Sequence, residues 1–485
     1  MNKKQLQVFV VGVTLVAFNV GATTVAHGES FTVTKVANSK STDKAVTLSK
    51  TTDTTATISK AAAAKTDTGS TVETKGTTPN IRVLLGSRKS STTVSSEVPF
   101  TIVNESGKKV GTVKANMPTI LSIKGSTIYV NGEAIDKGVT IKPSKNTSPF
   151  MLQNKPYRGA LKVSAAGSTG AMMLVNEVPL EDYLYGVVPQ EVIPSWPAPA
   201  LEAQAVAART YALYTMETNK NKPYDVKPTT ESQMYAGAGG EYASTTAAVN
   251  KTKGMVMLYN QKPINALFHS NGGGYTEDSV NVWGTVLPYL KGVKDYSKGS
   301  GSTDWTVTIS KQKMEEYLSA AGKGVGTLKS IQLTPLGSPP MTTADRGVSG
   351  RIKQATFIGS AGKVTVNGDA LRSMFGLKST LFDFYVNANP NNSGAKSTSS
   401  AESKETAQGT TSASKVETYK PGKVYHTFTN KNDTIYIVGH GWGHGLGLSQ
   451  WGAATMAKEA KSTDTNYYQT ILKHYYSGIS ISKLY

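Results

Sequence analysis

Two helical patterns joined by a proline-rich break occupy residues 178–217, which read VPLEDYLYGVVPQEVIPSWPAPALEAQAVAARTYALYTME. The first pattern opens with Glu181 and Asp182, acids that favour the first turn of a helix because that end is positive. The break from Pro194 to Pro199 separates it from a second helix, predicted over about Ala200 to Glu217. Apolar side chains recur at helical spacing in each pattern: Leu184, Val187 and Val188 in the first, and Leu201, Ala205, Ala208, Tyr211 and Ala212 in the second.

Short strand patterns fill the chain before these helices. Alternating apolar segments run from Ile81 to about residue 170, and Asn131-Gly132 after one of them is typical of a tight hairpin. We therefore expect a small β-rich domain over 81–170. Strands and helices are mixed across 171–485, which predicts an α+β fold in which the β-rich N-terminal unit packs with a mixed helix and strand core. Two helical patterns close the chain: Ser449–Ala460 and Tyr467–Tyr476.

Two segments have a composition that does not support a packed core. Residues 27–80 and about 388–417 are rich in small and polar residues and in Lys, with few large apolar side chains. Such segments bury too little surface to offset chain entropy. We expect a disordered spacer at 27–80 and a disordered insert at 388–417 within the core.

The N-terminus has the pattern of a secretory signal. Lys3 and Lys4 precede an apolar run from about Val8 to Val20, and small residues follow up to Ala26. We expect a signal peptide over 1–26, with cleavage after Ala26. The alternative is an uncleaved anchor, for which the apolar run is short. Either way, the sequence predicts a protein that works outside the cytoplasm, secreted to the cell wall or anchored to the membrane and facing outward.

Composition narrows the choice of partners. The chain has 485 residues, which suggests about three domains, and a formal net charge of +19. Its basic residues are mostly Lys scattered through Ser/Thr-rich segments, whereas nucleic-acid readout favours clustered Arg. We therefore expect no nucleic acid as partner, and a polyanionic envelope such as teichoic acids instead. The absence of Cys excludes disulfides and thiol nucleophiles.

Three motifs carry the chemistry, and the first is the helical pair quoted above. The second and third read HSNGGGYT at 269–276 with VWG at 282–284 and PYLKGV at 288–293, and GHGWGHGLGLSQWGA at 439–453. Together with GLKSTLF at 376–382, they resemble the stage II sporulation protein D (SpoIID) family, which also contains the LytB-type amidase enhancers. The resemblance runs from about Ile81 to the C-terminus and skips the insert.

The resemblance implies an activity. Sporulation members are lytic transglycosylases that cut peptidoglycan glycan strands lacking stem peptides, and their catalytic acid matches Glu191. Val192 and Ile193 depart from the family's Glu-Met-Pro step. One Glu can protonate the glycosidic oxygen and then take the proton of the muramic acid C6 hydroxyl, which gives a 1,6-anhydro end. Taken alone, Glu191 would be interpreted as a solvated surface acid.

Further residues are expected to bind or orient substrate. They are Arg209, His269, Ser270, Gly272, Gly273, Thr276, Tyr289, Lys291, Trp442, His444, Gln450 and Trp451. Arg209 has two interpretations, a structural ion pair or a group that orients Glu191 or binds sugar. The indoles of Trp442 and Trp451 either stack on sugars or pack in the core. Ser449 is a substrate contact or a helix cap.

No metal and no cofactor are expected. Some relatives bind zinc through His and Cys near the second motif, but this chain has no Cys. A site of His269, His440 and His444 is the alternative. The family often has an acid after the residue matching Lys291, where this chain has Lys298 and, earlier, Asp295.

Two further functions stay open beside glycan cleavage. The main rival is a non-catalytic wall-binding modifier that stimulates a separate cell-wall amidase, as described for the LytB-type members. The other is a plain extracellular interaction module. The partners expected are therefore peptidoglycan glycan strands, teichoic acids and an amidase.

Overall fold

The computed structural model describes residues 76–387 and 426–485, apart from positions 146, 168, 169, 298, 301, 302 and 342. Mixed sheets and helices over these residues confirm the α+β prediction. The expected signal peptide, residues 27–75 of the expected spacer and the expected insert at 388–417 lie outside the described residues.

Twelve strands precede the first helix and form two six-stranded antiparallel sheets. Their bounds are β1 Asn80–Arg88, β2 Thr92–Ser96, β3 Phe100–Asn104, β4 Lys109–Val113, β5 Thr119–Lys124, β6 Thr127–Val130, β7 Glu133–Asp136, β8 Gly138–Pro143, β9 Phe150–Leu152, β10 Lys155–Tyr157, β11 Ala160–Ala165 and β12 Met172–Pro179. The strand orders are β1-β12-β11-β8-β3-β4 and β10-β9-β2-β5-β6-β7.

The two sheets share one apolar core. Leu121 of one sheet and Phe100 and Ile141 of the other are fully buried in the same cluster, as expected when alternate residues of each strand face inward. Asn131 and Gly132 have φ angles of 51° and 88° between β6 and β7. Positive φ at both central residues is what a two-residue hairpin turn requires, which confirms the hairpin prediction.

Helices follow the β-sandwich, and the two predicted from the 178–217 pattern are present. The eight α-helices of the described residues are α1 Leu180–Glu191, α2 Ala198–Thr218, α3 Ala243–Lys251, α4 Ser279–Trp283, α5 Lys311–Ala320, α6 Gly368–Met374, α7 Gln450–Met456 and α8 Tyr467–Tyr475. The last two confirm the helical patterns near the C-terminus.

Helix α2 is buried on two faces instead of the single stripe that the sequence predicted. Leu201 and Ala205 pack in a core shared with α1 and α3. Ala203 and Ala207 pack in a second core shared with α7 and α8. Because Ala is small, neighbouring helices come close to α2 on both sides.

The remaining strands form small sheets around these helices. They are β13 Met255–Tyr259, β14 Lys262–Pro263, β15 Phe268–His269, β16 Asp304–Ser310, β17 Leu328–Gln332, β18 Gln354–Gly359, β19 Gly362–Asn367, β20 Phe382–Val386, β21 His426–Thr427, β22 Thr434–His440, β23 Leu448–Ser449 and β24 Ser480–Lys483. Their sheets have the orders β14-β13-β24, β15-β23, β16-β22-β20 and β19-β18-β17-β21.

The pairing of β15 with β23 joins the second motif to the third. The two strands run parallel, with Phe268 beside Leu448 and His269 beside Ser449. The hydroxyl of Ser449 then accepts a hydrogen bond from the backbone N–H of Gly452, so Ser449 caps α7. Among the described residues, no helix has the length and apolar character needed to cross a membrane.

Candidate active site

The carboxyl group of Glu191 lies at the C-terminal end of α1, where the residue is partly exposed. Its Oε1 accepts a hydrogen bond from the backbone N–H of Met234 at 2.9 Å. The side-chain amide of Gln450, the first residue of α7, donates a second hydrogen bond. The first motif and the third, far apart in the chain, therefore meet at this carboxyl group.

Burial changes the protonation of this group. It raises the pKa of Glu191 to about 7, and the hydrogen bonds from Met234 and Gln450 offset that shift only in part. The C-terminus of a helix acts in the same direction, since its partial negative charge disfavours a carboxylate. At neutral pH both protonation states are populated, so this group can donate a proton and then accept one.

Two indoles come from the segments that meet at Glu191: Trp196 lies five residues after it, and Trp451 directly follows Gln450. The rings of Trp196 and Trp451 meet edge to face with centroids 5.0 Å apart, and both side chains are partly exposed. Trp196 also packs against the cores on both sides of α2. Val187 and Val188, apolar positions of the first helical pattern, are fully buried in the core behind α1.

The glycine-rich third motif lies against the second motif. The backbones of Trp442 and Asn271 exchange two hydrogen bonds of 2.9 and 3.0 Å. Gly443 has a φ of 105°, and a Cβ there would lie 2.8 Å from the Cβ of His269, so only glycine fits this approach. The Trp442 ring is partly exposed, and the Nζ of Lys378 lies 4.9 Å from its centroid.

His269 and His444 form a pair of neutral imidazoles, with ring centroids 5.5 Å apart. The Nδ1 of His269 lies 3.0 Å from the carbonyl oxygen of Leu446, so Nδ1 is the donor and Nε2 the acceptor. That Nε2 is buried without a hydrogen-bond partner in the described part of the chain. Burial, aided by the positive charges of Arg351 and Arg372, lowers the pKa of His444 to about 3.

The other predicted residues of the second motif divide into a surface group and an internal one. Ser270 is partly exposed, and its carbonyl oxygen accepts the N–H of Trp451 at 3.0 Å. Gly272 and Thr276 are buried, with hydrogen bonds to Ser449 and to the backbone of the following loop. The partly exposed Gly273 has a φ of 76° at the turn. Ser270 therefore contacts the first turn of α7 beside Gln450, whereas Gly272 and Thr276 shape the loop from within.

The expectation that Arg209 orients Glu191 is corrected by the contacts that Arg209 makes. Its Nε and Nη2 donate to the two carboxylate oxygens of Glu181 at 2.9 and 2.7 Å. The Arg209 side chain is fully buried, so it is not available to bind sugar at the surface. The structural ion pair, which the sequence left open, is the arrangement found. Glu181 therefore forms a buried ion pair in addition to lying in the first turn of α1.

Tyr289 and Lys291 also make their contacts away from Glu191. The Tyr289 hydroxyl accepts the N–H of Asn265 at 3.2 Å, and its ring lies in the core with α2, α7 and α8. Lys291 is exposed, and its Nζ lies 3.5 Å from Asp278. Neither contact supports the substrate role expected for these two residues, which stays a prediction.

Lys298 lies outside the described residues, whereas Asp295 is described by the structure. Its carboxylate is buried and accepts hydrogen bonds from the hydroxyls of Tyr475, at 2.8 Å, and of Ser297. A Cβ at Gly272 would lie 2.3 Å from the same carboxylate. Asp295 therefore anchors the second motif to α8 from inside the protein.

Sequence reasoning missed Glu277, which is fully buried. Its carboxylate accepts hydrogen bonds from Asn281, from the N–H of Val348 and from both the N–H and hydroxyl of Ser349. The donors from Val348 and Ser349 lie about 70 positions further along the chain, so no local pattern could indicate them. The acid directly follows the motif residue Thr276, and that position was the available signal.

No assembled metal site is found in the ranges that the structure describes: no group of three or more His, Asp or Glu side chains is placed to hold an ion. The three-histidine alternative is not assembled either. The Nδ1 of His440 bonds to Asp304 at 2.7 Å, while the Nδ1 of His269 bonds to the carbonyl oxygen of Leu446.

Comparisons with known proteins relate this chain to one family. A family model described as Stage II sporulation protein, SpoIID, matches residues 168–259. An uncharacterized protein of Brachyspira hyodysenteriae (strain ATCC 49526 / WA1) is 30% identical over 333 residues, which cover 68% of this chain and 74% of that protein. The amidase enhancer of Bacillus subtilis (strain 168) is 29% identical over 73% of this chain and 48% of its own length. Stage II sporulation protein D of Bacillus amyloliquefaciens is 28% identical over 75% of this chain and 93% of its own length.

Proposed function

The chain belongs to the SpoIID family, and from that premise we propose that it cleaves the glycan strands of peptidoglycan by a lytic transglycosylase mechanism. Glu191 acts first as general acid and then as general base, and one product carries a 1,6-anhydro-muramic end. The observation that carries the proposal is the pKa of Glu191, about 7, at a partly exposed position held by Gln450.

The chemistry needs one proton and one nucleophile. Protonated Glu191 donates its proton to the glycosidic oxygen, the C1–O bond breaks, and the leaving strand departs with a new hydroxyl. The Glu191 carboxylate then takes the proton of the muramic acid C6 hydroxyl, whose oxygen attacks C1 and closes the anhydro ring. The carboxyl group ends the cycle protonated, as it began.

A single carboxyl group favours this route over hydrolysis. Glycoside hydrolases of the common kind use two carboxyl groups that flank the scissile bond. Within the described residues, no other carboxylate contributes to the pKa shift of Glu191. Glu181 and Asp182 lie about ten residues earlier on α1, which is about 15 Å along the helix axis.

The test is incubation of the purified protein with glycan strands freed of stem peptides, followed by mass analysis. We expect anhydro-ended products from the wild type and a loss of at least about 100-fold in Glu191→Gln. Glu217→Gln is the matched control, since Glu217 is exposed on α2, and it should retain full activity. Reducing ends in place of anhydro ends would contradict the mechanism.

A second candidate is the non-catalytic modifier of an amidase. It is favoured by the similarity to the amidase enhancer of Bacillus subtilis over 73% of this chain. In the same assay, a wild type that leaves glycan intact but accelerates an added cell-wall amidase supports this candidate and contradicts glycan cleavage.

For both candidates we propose action outside the cytoplasm at the cell wall, by a secreted or outward-anchored protein. The formal net charge of +19 fits attachment to the phosphates of teichoic acids. Wall binding should therefore weaken as salt is raised, because ions screen charges that are exposed. Sedimentation with purified walls at low and at molar salt measures this, and equal binding at both would contradict it.

A further inference from the structure

An exposed apolar patch lies on α4 and the loop that follows it. Trp283 is 46% exposed, and its neighbours Val280 and Val286 are 39% and 60% exposed. A large indole in solvent loses the free energy that burial would provide. Exposed apolar groups that cluster in this way mark binding surfaces more often than isolated ones do.

The segment that carries Trp283 is firmly anchored. Glu277 accepts the Asn281 side chain at 2.8 Å, and Ser279 accepts the N–H of Leu287 at 2.8 Å. Asp278 accepts the N–H of Gly292 at 2.7 Å. The fold therefore holds the indole at a set position in solvent, and the missed residue Glu277 contributes to holding it there.

A continuous path of contacts leads from Trp283 to the catalytic carboxyl group. The Trp283 ring lies 5.8 Å from the His444 ring, which lies 5.5 Å from the His269 ring. Ser270 follows His269 and accepts the N–H of Trp451. Gln450, next to Trp451, bonds to Glu191. Most side chains on this path are partly exposed, so the path lies along the surface and is longer than one sugar ring.

A polar group without a partner lies on the same path. The Nε2 of His269 is a buried acceptor with no hydrogen-bond partner among the described residues. Because that atom is enclosed, a ligand at the surface cannot reach it, and the imidazole that a ligand can contact is the partly exposed ring of His444. An apolar ring beside imidazoles suits a sugar, whose ring face is apolar and whose edge carries hydroxyl groups.

We propose that Trp283, together with the ring of His444, forms a remote subsite for an amino-sugar unit of the same glycan chain whose scissile bond lies at Glu191. The assignment deepens the proposed function and depends on it for the identity of the chain. Trp283 stacks on the sugar ring, and the partly exposed ring of His444 packs beside it. The subsite adds affinity for long chains and takes no part in the bond-breaking step.

Chain length provides the test. In the full-length protein carrying Glu191→Gln, which prevents turnover, binding is measured by calorimetry with stem-peptide-free glycan oligomers of increasing length. We expect Trp283→Ala to weaken binding of long oligomers about 3- to 10-fold and to leave short ones unchanged. Trp283→Phe should recover part of the loss. Tyr296→Ala is the matched control, since Tyr296 is also an exposed aromatic residue, 40% exposed.

Equal affinity of Trp283→Ala and its parent at every length would overturn the subsite. A variant that binds glycan normally but no longer stimulates an amidase would also overturn it, because the patch would then be a protein contact. The assay reads binding and not cleavage. Absence of anhydro products would therefore refute the proposed function, while a length-dependent loss in Trp283→Ala would still uphold a glycan subsite.

Discussion

The two ends of α1 carry two glutamates with opposite environments. Glu181 at the N-terminal end is buried and accepts hydrogen bonds from Arg209, from the N–H of Gly254 and from the hydroxyl of Tyr485. Glu191 at the C-terminal end has two neutral donors and no cation, and its pKa is raised to about 7. The same residue type thus forms a buried ion pair at one end of the helix and, in the proposed function, transfers protons at the other.

The difference lies in what replaces water around each carboxylate. At Glu181 a bidentate guanidinium and the positive end of the helix compensate for lost hydration. At Glu191 the helix end is negative, and only the hydrogen bonds from Met234 and Gln450 compensate for lost hydration. A glutamate at which desolvation exceeds compensation keeps its proton, and this is the property that an acid catalyst needs near neutral pH.

Replacing Arg209, the cation that pairs with Glu181 at the N-terminal end of α1, should have the largest effect on stability. Arg209→Met leaves Glu181 buried without its partner, and we expect the free energy of unfolding to fall by about 3–5 kcal/mol. Chemical denaturation measures this. Lys220→Met is the control, since its pair with Glu217 is exposed, and it should change stability by less than about 0.5 kcal/mol.

The double variant Glu181→Gln with Arg209→Met sharpens the comparison. It removes both charges, and it should recover part of the stability lost in Arg209→Met alone. A loss below about 1 kcal/mol in the single variant would show that the pair matters little. The assigned difference between the two ends of α1 would then fail.

At the Glu191 end of α1, replacing the charged residue is expected to raise the free energy of unfolding instead of lowering it. The pKa of Glu191 is raised from 4.5 to about 7 in the folded protein, so folding takes up a proton within that window. The stability contribution of Glu191 therefore falls as pH rises from about 4.5 to 7. Because Gln does not ionise, Glu191→Gln should be more stable than the wild type by about 3 kcal/mol at pH 8.

The two proteins should be nearly equal in stability at pH 4, where Glu191 is protonated in both the folded and unfolded states. Denaturation at the two pH values compares them, with Glu217→Gln as the control that shows no such trend. Equal stability of Glu191→Gln and the wild type at pH 8 would mean that Glu191 is not destabilised by ionising, contrary to its assigned environment.

A smaller change is expected from the donor in the third motif. The hydrogen bond from Gln450 lowers the pKa of Glu191, so Gln450→Met should raise that pKa by less than about one unit. The alkaline limb of the pH–rate profile for glycan cleavage should move upward accordingly. Gln312→Met, exposed on α5, should leave the profile in place. A shift to lower pH in Gln450→Met would contradict the assigned hydrogen bond.

Local sequence patterns were sufficient to predict helices and a hairpin, but not which parts of the protein those elements pack against. Helical spacing predicted α1 and α2, and Asn131-Gly132 predicted a hairpin, because both depend on nearby residues. The second buried face of α2 was missed because runs of Ala do not distinguish one apolar face from two.

The site depended on contacts that no local pattern contains. Glu191 and Gln450 were both named from motifs that resemble the SpoIID family, but their hydrogen bond joins distant parts of the chain. Arg209 was open between two roles until its distances to Glu181 were known. Glu277 was missed because most of its donors come from a loop about 70 positions later.

The central claim is that Glu191 holds its proton near neutral pH, and a direct titration tests it. Carbon-13 labelling of the glutamate side-chain carboxyl groups, with the Glu191 signal identified by its absence in Glu191→Gln, follows the group by NMR as pH is varied. The environment described here predicts a midpoint near 7. A midpoint below about 5, the range of an ordinary surface glutamate, would contradict the assignment of Glu191 as the acid.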